Sequence, residues 1–449
     1  MADSTPTPEA AQPAPKAPKP RNQALRMLGL PALPSKLPSR NWMIFWTITT
    51  TVTAAIIYDK REKKRAIARW SHAVEHLAKE PLPYDLAQVR KLTIYLSSPP
   101  GDGLRFSQDH YTEYVKPILA ASGLDWEFVQ GRREGDVRAV VAEKIRKVRR
   151  GWEAAGEEQA PEEPTKEETI EKIRKERGIE DYDGVRGDVV IGRHTWKEYV
   201  RGLHEGWLGP LAAPEEPEAL PKSEAGTATE EKPAEDKPAE DKPAEEEKPK
   251  GPPPQPRPYN TTNDYPAESL PLLTPAEFAP AAPIREPHIL GFLNTPTRMM
   301  RFFNRRALAD EIGREVAAVC LSTYREFKQE ASADSETVDQ IQYEQQKELA
   351  WEEKDWVKSV WKEEELKEGE QPDTTEKIRA RPIVLDPRIA GRMRRFELSP
   401  EDEARARQIV IPEEEIEGWT KGHLRQLWRW GASKFEKEQN VPLTDADVE

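Results

Sequence analysis

The sequence predicts a mixed α/β domain with a parallel sheet. One N-terminal transmembrane helix precedes it, and a disordered acidic linker and a mostly helical C-terminal region follow it. Three observations lead to this prediction. Residues 42–58 carry no charge, residues 86–210 alternate strand-like and helix-like patterns, and residues 211–258 contain 12 prolines and 13 acids. The chain is accordingly divided into 1–40, 41–58, 59–85, 86–210, 211–258 and 259–449.

The composition limits both the core and the partners. Of the 449 residues, 33% are charged and only 36% are hydrophobic, so a substantial part of the chain is expected outside any packed core. The net charge is −13, and the acids are concentrated after residue 150. Such an acidic remainder argues against a nucleic-acid partner, which requires a basic stripe. The single cysteine, Cys320, excludes a disulfide framework and a cysteine-based zinc site, and we expect it in the core.

The first forty residues are Pro-rich and basic, with six Lys or Arg and two acids. This composition resembles an uncleaved mitochondrial targeting segment more than a folded unit. The charges that flank the following apolar run do not determine its orientation. Three basic residues lie in 22–41 and six lie in 59–78, so the positive-inside tendency alone would place the C-terminal side in the cytoplasm or matrix.

The charge-free run 42–58 is interpreted as a single membrane anchor. Seventeen residues at 1.5 Å each extend about 25 Å, the lower limit for a helix that spans a bilayer. Five threonines make the run less apolar than a typical span. The alternative is a buried core helix. The side chains expected to make contacts within the membrane are Trp42, Phe45, Trp46, Ile56 and Tyr58.

Regular elements follow the anchor in a recognisable order. Residues 64–79 have helical periodicity and predict a juxtamembrane helix. Strands are predicted over 91–96, 125–130 and 188–191, and helices over 106–121, 137–150 and 195–203. This strand–helix alternation is typical of an α/β unit with a parallel sheet.

The linker 211–258 includes a tandem Lys-Pro-Ala-Glu-Asp repeat and is predicted to be a flexible spacer, because it cannot bury enough apolar area to offset its ordering entropy. Beyond it, helices are predicted over 298–328 and 335–367, and a capped helix begins at Ser399. The cluster of Trp419, Trp428 and Trp430 is interpreted as packing or as a contact patch for protein or lipid.

Chemistry-bearing motifs are weak. His72 and His76 have the i, i+4 spacing of a metal pair but no carboxylate–histidine companion, so a solvated or packed pair is favoured. No Ser/His/Asp arrangement can be supported from spacing. The Gly-containing stretch 99–104 follows a predicted strand and precedes a helix, where a phosphate could bind, but such a stretch alone is unspecific.

The α/β unit resembles the catalytic domain of diacylglycerol kinases and their acylglycerol kinase relatives. In those kinases the first strand leads to an Asn-Pro-x-x-Gly turn, which is similar here to 92–96 followed by Ser98, Pro99 and Gly101. A later strand leads to Gly-Gly-Asp-Gly-Thr, which is similar here to the segment after 189–191.

That second motif is degenerate in this chain. Gly192 and Thr195 keep their places, but Arg193 stands where the aspartate belongs and His194 where a glycine belongs. A guanidinium repels Mg²⁺, and an imidazole prevents close approach of phosphates to the backbone. The resemblance therefore implies a pseudo-kinase with no catalytic residue, no metal and no cofactor; the alternative is an active acylglycerol or diacylglycerol kinase.

A second resemblance covers more of the chain, about 40–210 and 280–430. The segments that carry it are 41–45, 111–150, 287–296, 301–310 and 386–396. They resemble the fungal Tim fifty-four family, the large subunits of the carrier translocase in the mitochondrial inner membrane. Because several separate blocks occur in the same order, the resemblance is specific.

This resemblance implies a single-span inner-membrane protein with its short N-terminal tail in the matrix and the bulk of the chain in the intermembrane space. We follow it over the flanking charges, because long domains are not governed by short-loop charge bias. The implied function is a non-catalytic scaffold for the insertion of multi-pass carrier proteins. The implied partners are the channel-forming subunit, the small Tim chaperones, other membrane subunits and inner-membrane lipid. A tether between two membranes is a third hypothesis.

Overall fold

A computed structural model describes residues 39–81, 89–154, 173–174, 176–178, 182, 184–214, 255–331, 341–362, 376–418, 422–430 and 433. Nearly all of the predicted N-terminal tail, most of the predicted linker and Trp419 lie outside the described residues. The chain divides into two units, Met1–Ile57 and Tyr58–Glu449.

The first helix, α1, runs from Arg40 to Val74. Its side chains are exposed up to Ile57, throughout the part that belongs to the first unit. Across the described ranges, no helix combines the length and the apolar character needed to cross a membrane. The predicted span 41–58 is thus found as a helix but is not confirmed as a membrane span.

The second unit contains the sheets. Its strands are β1 (Lys91–Ser97), β2 (Asp125–Gly131), β3 (Asp188–Ile191), β4 (Ala281–Ile284), β5 (Tyr324–Glu326), β6 (Gln329–Ala331), β7 (Ile341–Tyr343) and β8 (Arg394–Phe396). Six of them form one sheet in the order β2-β1-β3-β4-β8-β5. All neighbours in it are parallel except β5, which runs antiparallel to β8. Strands β6 and β7 form a separate antiparallel pair.

The predicted α/β class with a mostly parallel sheet is confirmed. The three strands predicted in 86–210 are β1, β2 and β3, and they pair in parallel with β1 between the other two. The region after the linker, which was expected to be mostly helical, adds β4, β5 and β8 to the same sheet. These strands have only three or four residues, too few to give a periodic signal in the sequence.

Helices pack on both faces of the sheet, and the side chains between helices and strands form two hydrophobic clusters, one on each face. Successive strand residues point to opposite faces, so Ile94 and Leu96 join one cluster and Tyr95 joins the other. The helix α2 (Arg105–His110) continues through a π-helical turn (Tyr111–Val115) into α3 (Lys116–Ser122). The first cluster takes residues from α1, from this turn, from α3 and from the later helix Arg305–Cys320. The second takes residues from α4 (Asp136–Ala154) and α5 (Arg193–Leu208).

The helix predicted over 298–328 is two helices, α6 (Thr295–Phe302) and α7 (Arg305–Cys320), and the chain then enters β5. Cys320 is buried at the end of α7, as predicted.

The single helix predicted over 335–367 is wrong within 341–362. There the chain forms β7, α8 (Glu344–Lys347), α9 (Ala350–Glu353) and a 3₁₀ turn (Lys358–Val360). Leu349 has a φ of +54°, a left-handed conformation that separates α8 from α9. The segment has charged residues on all sides and no continuous apolar stripe. Its conformation instead buries the polar side chains of Gln345 and Glu352, which bond to Ala390 and Arg193 respectively.

Three short helices follow: α10 (Pro387–Ala390), α11 (Pro400–Gln408) and α12 (Glu413–Ile416). Residues 422–430 are helical as well. The predicted cap of α11 is confirmed, since the Asp402 backbone N–H donates to Ser399 Oγ over 3.1 Å.

Candidate functional site at the carboxyl ends of the parallel strands

The order of the central strands defines where a ligand would bind in such a sheet. From β1 the chain goes to β2 on one side and then crosses to β3 on the other side. In open α/β sheets, ligands bind at the carboxyl ends of the strands where the direction of winding changes. That place lies between β1 and β3, after Ser97 and Ile191 respectively. The degenerate motif 192–195 therefore begins at the expected edge.

Gly192 adopts a conformation that favours glycine. Its φ is +99°, and its N–H donates to the Ile284 carbonyl oxygen over 3.0 Å. A Cβ atom at this position would lie 2.9 Å from Glu286 Oε2. The absence of a Cβ atom at Gly192 thus leaves room for the carboxyl group of Glu286, which lies two residues after β4.

The N-terminus of α5 holds a second carboxyl group. The Arg193 backbone N–H donates to Glu352 Oε2 over 3.1 Å, and the Glu286 backbone N–H donates to Glu352 Oε1 over 2.5 Å. Helix N-termini attract anions because their first N–H groups lack partners within the helix. At this helix, the side chain of Glu352 from α9 takes the position that a phosphate group would take.

Burial shifts the pKa values of these two carboxyl groups upwards. The pKa of Glu286 rises to about 8, chiefly through burial. Burial raises the pKa of Glu352 well above its ordinary range, and the neighbouring Glu286 raises it further. Ser107 donates its hydroxyl to Glu286 Oε2 over 3.1 Å, so the two carboxyl groups and this hydroxyl form one buried polar cluster.

Arg193 points its guanidinium into an internal network. It donates to the Glu348 carbonyl oxygen over 2.8 Å and to Glu353 Oε1 over 2.7 Å, and Lys197 lies 2.7 Å from the same Glu353 oxygen. The Arg193 side chain is only 3% exposed. The residue at the place of the kinase aspartate thus links α5 to α9.

His194 fills the crevice between the strand ends. It is buried, and this burial lowers the pKa of its ring well below the ordinary value, so the ring is neutral. Within the described residues, neither His194 Nε2 nor Thr195 Oγ1 has a hydrogen-bond partner. The ring lies 6.5 Å from the ring of Trp356, centroid to centroid. An imidazole therefore occupies the space next to the backbone where the resemblance expects a glycine.

Two further residues close the β1 side of the crevice. Glu198 is fully buried and accepts from the Val137 N–H over 3.0 Å, and burial raises its pKa to about 7. Arg379 donates to the Ser98 carbonyl oxygen over 3.0 Å. Sequence reasoning missed both residues, as it missed Glu286 and Glu352. Glu286, Glu352 and Arg379 come from distant parts of the chain, whereas Glu198 lies three residues after Thr195 on α5, where nothing in the sequence marks it as buried.

The remaining predicted sites have structural roles. His288 bonds to the Pro100 carbonyl oxygen over 2.9 Å and so fastens the stretch 99–104. His72 pairs with Glu75 and Glu415, whereas His76 bonds to the Ala73 carbonyl oxygen. Among the residues described, no group of His, Cys, Asp and Glu side chains has the geometry of a metal site.

The predicted membrane-contact residues are all exposed: Trp42, Phe45, Trp46, Ile56 and Tyr58. Near the start of α1, Trp42 lies against Phe45 and Trp46, with ring centroids 5.7 and 6.3 Å away. In the second unit, the Arg306 guanidinium lies over the ring of Tyr58, 5.0 Å from its centroid. The first group forms an exposed aromatic cluster on one helix.

Comparison with known proteins identifies relatives along almost the whole chain. The chain is 66% identical to the mitochondrial import inner membrane translocase subunit tim54 of Neurospora crassa over 438 residues, which is 97% of this chain and 93% of the relative. It is 45% identical to the subunit of the same name in Aspergillus oryzae, covering 89% and 93% of the two chains. The Saccharomyces cerevisiae subunit is 31% identical over 42% of this chain and 51% of the relative.

The match to a family description covers more than half of the sequence. Residues 22–396 match the family described as inner membrane protein import complex subunit Tim54. This range includes α1, all eight strands and the crevice between β1 and β3. The chain therefore belongs to the Tim54 family of inner membrane protein import complex subunits.

Proposed function

We propose that this protein is a non-catalytic subunit of the protein translocase in the mitochondrial inner membrane, where it scaffolds the complex. The names of its relatives support the complex and its location. The observation that carries the non-catalytic part is the carboxyl group of Glu352, which accepts from the backbone N–H groups of Arg193 and Glu286. A nucleotide phosphate would have to displace this buried side chain.

The pseudo-kinase relationship is part of the same proposal. The parallel strands β1, β2 and β3, with a glycine turn after β3, are compatible with a domain of the diacylglycerol kinase type. Arg193 and His194 then represent a lost phosphate and metal motif, since one side chain is tied to Glu353 and the other is buried as a neutral ring. An active lipid kinase is the competing function.

We propose the channel-forming subunit, the small Tim chaperones and other membrane subunits as partners, with carrier proteins as the inserted substrates. These partners rest on the resemblance of the sequence to the translocase subunits and on the inner-membrane complex that the relatives' names describe. The exposed aromatic cluster of Trp42, Phe45 and Trp46 supplies a surface for side-by-side packing with another helix.

We further propose that residues 41–58 cross the inner membrane once, with the large second unit in the intermembrane space. Four of the five threonines that lower the apolar character of this helix have hydroxyls bonded within the helix itself. The hydroxyls of Thr47, Thr49, Thr51 and Thr53 each donate to a carbonyl oxygen three or four residues earlier, over 2.7–2.9 Å. Such internal bonds reduce the cost of placing a hydroxyl in hydrocarbon.

A substitution in the crevice tests the non-catalytic proposal. Thr195→Val removes a buried hydroxyl that has no hydrogen-bond partner among the described residues. In fungal mitochondria that contain only this variant, we expect translocase assembly on native gels and carrier import to equal those of the wild-type chain. Loss of import at unchanged chain abundance would contradict the proposal. Phosphorylation of monoacylglycerol or diacylglycerol by the purified wild-type chain with Mg²⁺ and ATP would favour the kinase instead.

Protease access to a C-terminal tag tests the topology. Protection in intact mitochondria that disappears when the outer membrane is ruptured is the expected result. Digestion in intact mitochondria would place the second unit in the cytosol, and resistance after rupture would place it in the matrix.

A further inference from the structure

An exposed apolar surface surrounds α6. We call it the α6 patch and define it by five residues: Phe292, Leu293, Met299, Met300 and Phe302. Phe292 and Leu293 are 89% and 90% exposed, and α6 itself has no buried residue. Folded proteins seldom leave so many large apolar side chains uncovered within eleven consecutive residues unless they bind a membrane or another protein.

The position of the α6 patch in the second unit is defined by contacts at the start of α7. The Arg306 backbone N–H donates to Asp59 Oδ1 over 3.2 Å, and its guanidinium lies over Tyr58. Tyr58 directly follows Ile57 in the chain, so this is the point where the second unit continues from the apolar run. Only Phe303 and Asn304 separate α6 from α7, and α6 is about 12 Å long.

Basic residues flank the α6 patch. Arg298 and Arg305 are exposed, and Lys60 and Lys64 are exposed on α1 near Asp59.

The neighbouring acids are already engaged. Asp59 accepts from the Arg306 backbone, Glu113 pairs with Lys63, and Asp310 accepts from Arg69 and Trp70. Lys63 and Arg69 balance Glu113 and Asp310, which leaves the buried Asp59 against four exposed cations, Lys60, Lys64, Arg298 and Arg305. The local surface therefore has an excess of positive charge beside its apolar residues. Apolar side chains next to cations are typical of helices that lie in the interface of an anionic bilayer.

We propose that the α6 patch binds the surface of the membrane, with its Met and Phe side chains among the lipid headgroups and its basic neighbours on anionic phospholipid. The occupant is lipid because the exposed Met299, Met300 and Phe302 lie between the exposed cations Arg298 and Arg305. On its other side, Arg301 attaches α6 to the protein by pairing with Asp355 and lying over the ring of Trp351. This inference rests on the proposed membrane anchor. It makes α6 a second membrane contact, one that lies within the second unit.

An environment-sensitive dye tests this contact in the full-length chain reconstituted into vesicles. The dye is attached at Met299→Cys and, as a matched control, at Leu272→Cys. Leu272 is also fully exposed, but it lies in a turn with no basic residue within four positions. Cys320 is buried, and burial raises its pKa to about 11, so the dye labels the introduced cysteine.

In vesicles of phosphatidylcholine and cardiolipin, we expect blue-shifted emission at position 299 and quenching by lipids that carry a shallow spin label. The control position is expected to emit as in water. In vesicles of phosphatidylcholine alone, the fraction of anchored chains whose α6 patch contacts the bilayer should be smaller. The ratio of contacting to non-contacting chains should fall about fivefold for each basic side chain that loses its anionic lipid. Arg298→Gln with Arg305→Gln should lower quenching in the cardiolipin vesicles in the same way.

The outcomes separate this inference from the anchor. A chain that floats with the vesicles but emits equally at both positions overturns the α6 contact and leaves the anchor standing. Shielding of position 299 that occurs in mitochondria but not in vesicles assigns the patch to a protein and also overturns the proposal. A chain that does not float contradicts the anchor itself, and with it this inference.

Discussion

Gly313→Ala should destabilise the second unit by forcing α1 away from α7. A Cβ atom at Gly313 would lie 2.2 Å from Trp70 Cδ1 and 2.9 Å from Nε1. Real Cβ atoms do not come so close to other atoms, so the indole has to move. It is 3% exposed, and its Nε1–H donates to Asp310 Oδ1 over 2.8 Å, which leaves little space for movement.

The size of the effect follows from three contributions. Overpacking a core costs about 1–3 kcal/mol. Loss of a hydrogen bond to a carboxylate costs about 1.5–3 kcal/mol. Alanine in place of glycine inside a helix returns about 1 kcal/mol. The free energy of unfolding should therefore fall by about 1.5–5 kcal/mol, which lowers the melting temperature by about 2–8 °C for a unit of this size.

Thermal unfolding of the full chain, followed by tryptophan fluorescence, measures this effect. Gly151→Ala is the matched control: it is also a helical glycine, but a Cβ atom at this position would meet no other atom within 4 Å, so the substitution should be neutral or slightly stabilising. In a Trp70→Leu background, Gly313→Ala should cost at least about 1 kcal/mol less than in the wild-type chain. Equal melting temperatures for Gly313→Ala and Gly151→Ala would refute the reasoning.

Two further predictions concern buried charge. Glu205→Gln leaves the buried Arg138 without its carboxylate and leaves Arg146, which is 2% exposed, with the more distant Glu143 at 3.5 Å. It should lower the free energy of unfolding by about 3–5 kcal/mol in denaturant titrations. The half-exposed Glu143→Gln should cost less than about 1 kcal/mol, and equal effects would contradict this assignment. Glu286 is protonated up to about pH 8 when folded but ionises near 4.5 when unfolded. Stability should therefore fall between these values by up to about 1.4 kcal/mol per pH unit. Glu286→Gln should reduce this slope, and an unchanged slope would show that the carboxyl is charged.

The local pattern of the sequence was enough for the first half of the sheet. Strands β1, β2 and β3 follow each other with helices between them, and Leu92, Ile94 and Leu96 alternate with residues of the other face. The helical face of α1 was likewise visible, because Trp70 and Val74 recur at helical spacing. Signals of this kind depend on neighbours in the chain and need no knowledge of the rest of the fold.

Contacts between distant parts of the chain determine which strands form the second half of the sheet and which side chains line the crevice. Strand β4 pairs with β3 across the linker, and β5 joins the sheet only through β8. Gly192 was recognisable as a turn residue, but the group that approaches it, Glu286, follows β4.

Glu352 belongs to a charged segment that predicts one long helix, yet it is buried against the N-terminus of α5. The reason is physical. A short strand or a buried carboxyl group gains its free energy from partners distant in the chain, and the sequence around it carries no periodic trace of those partners.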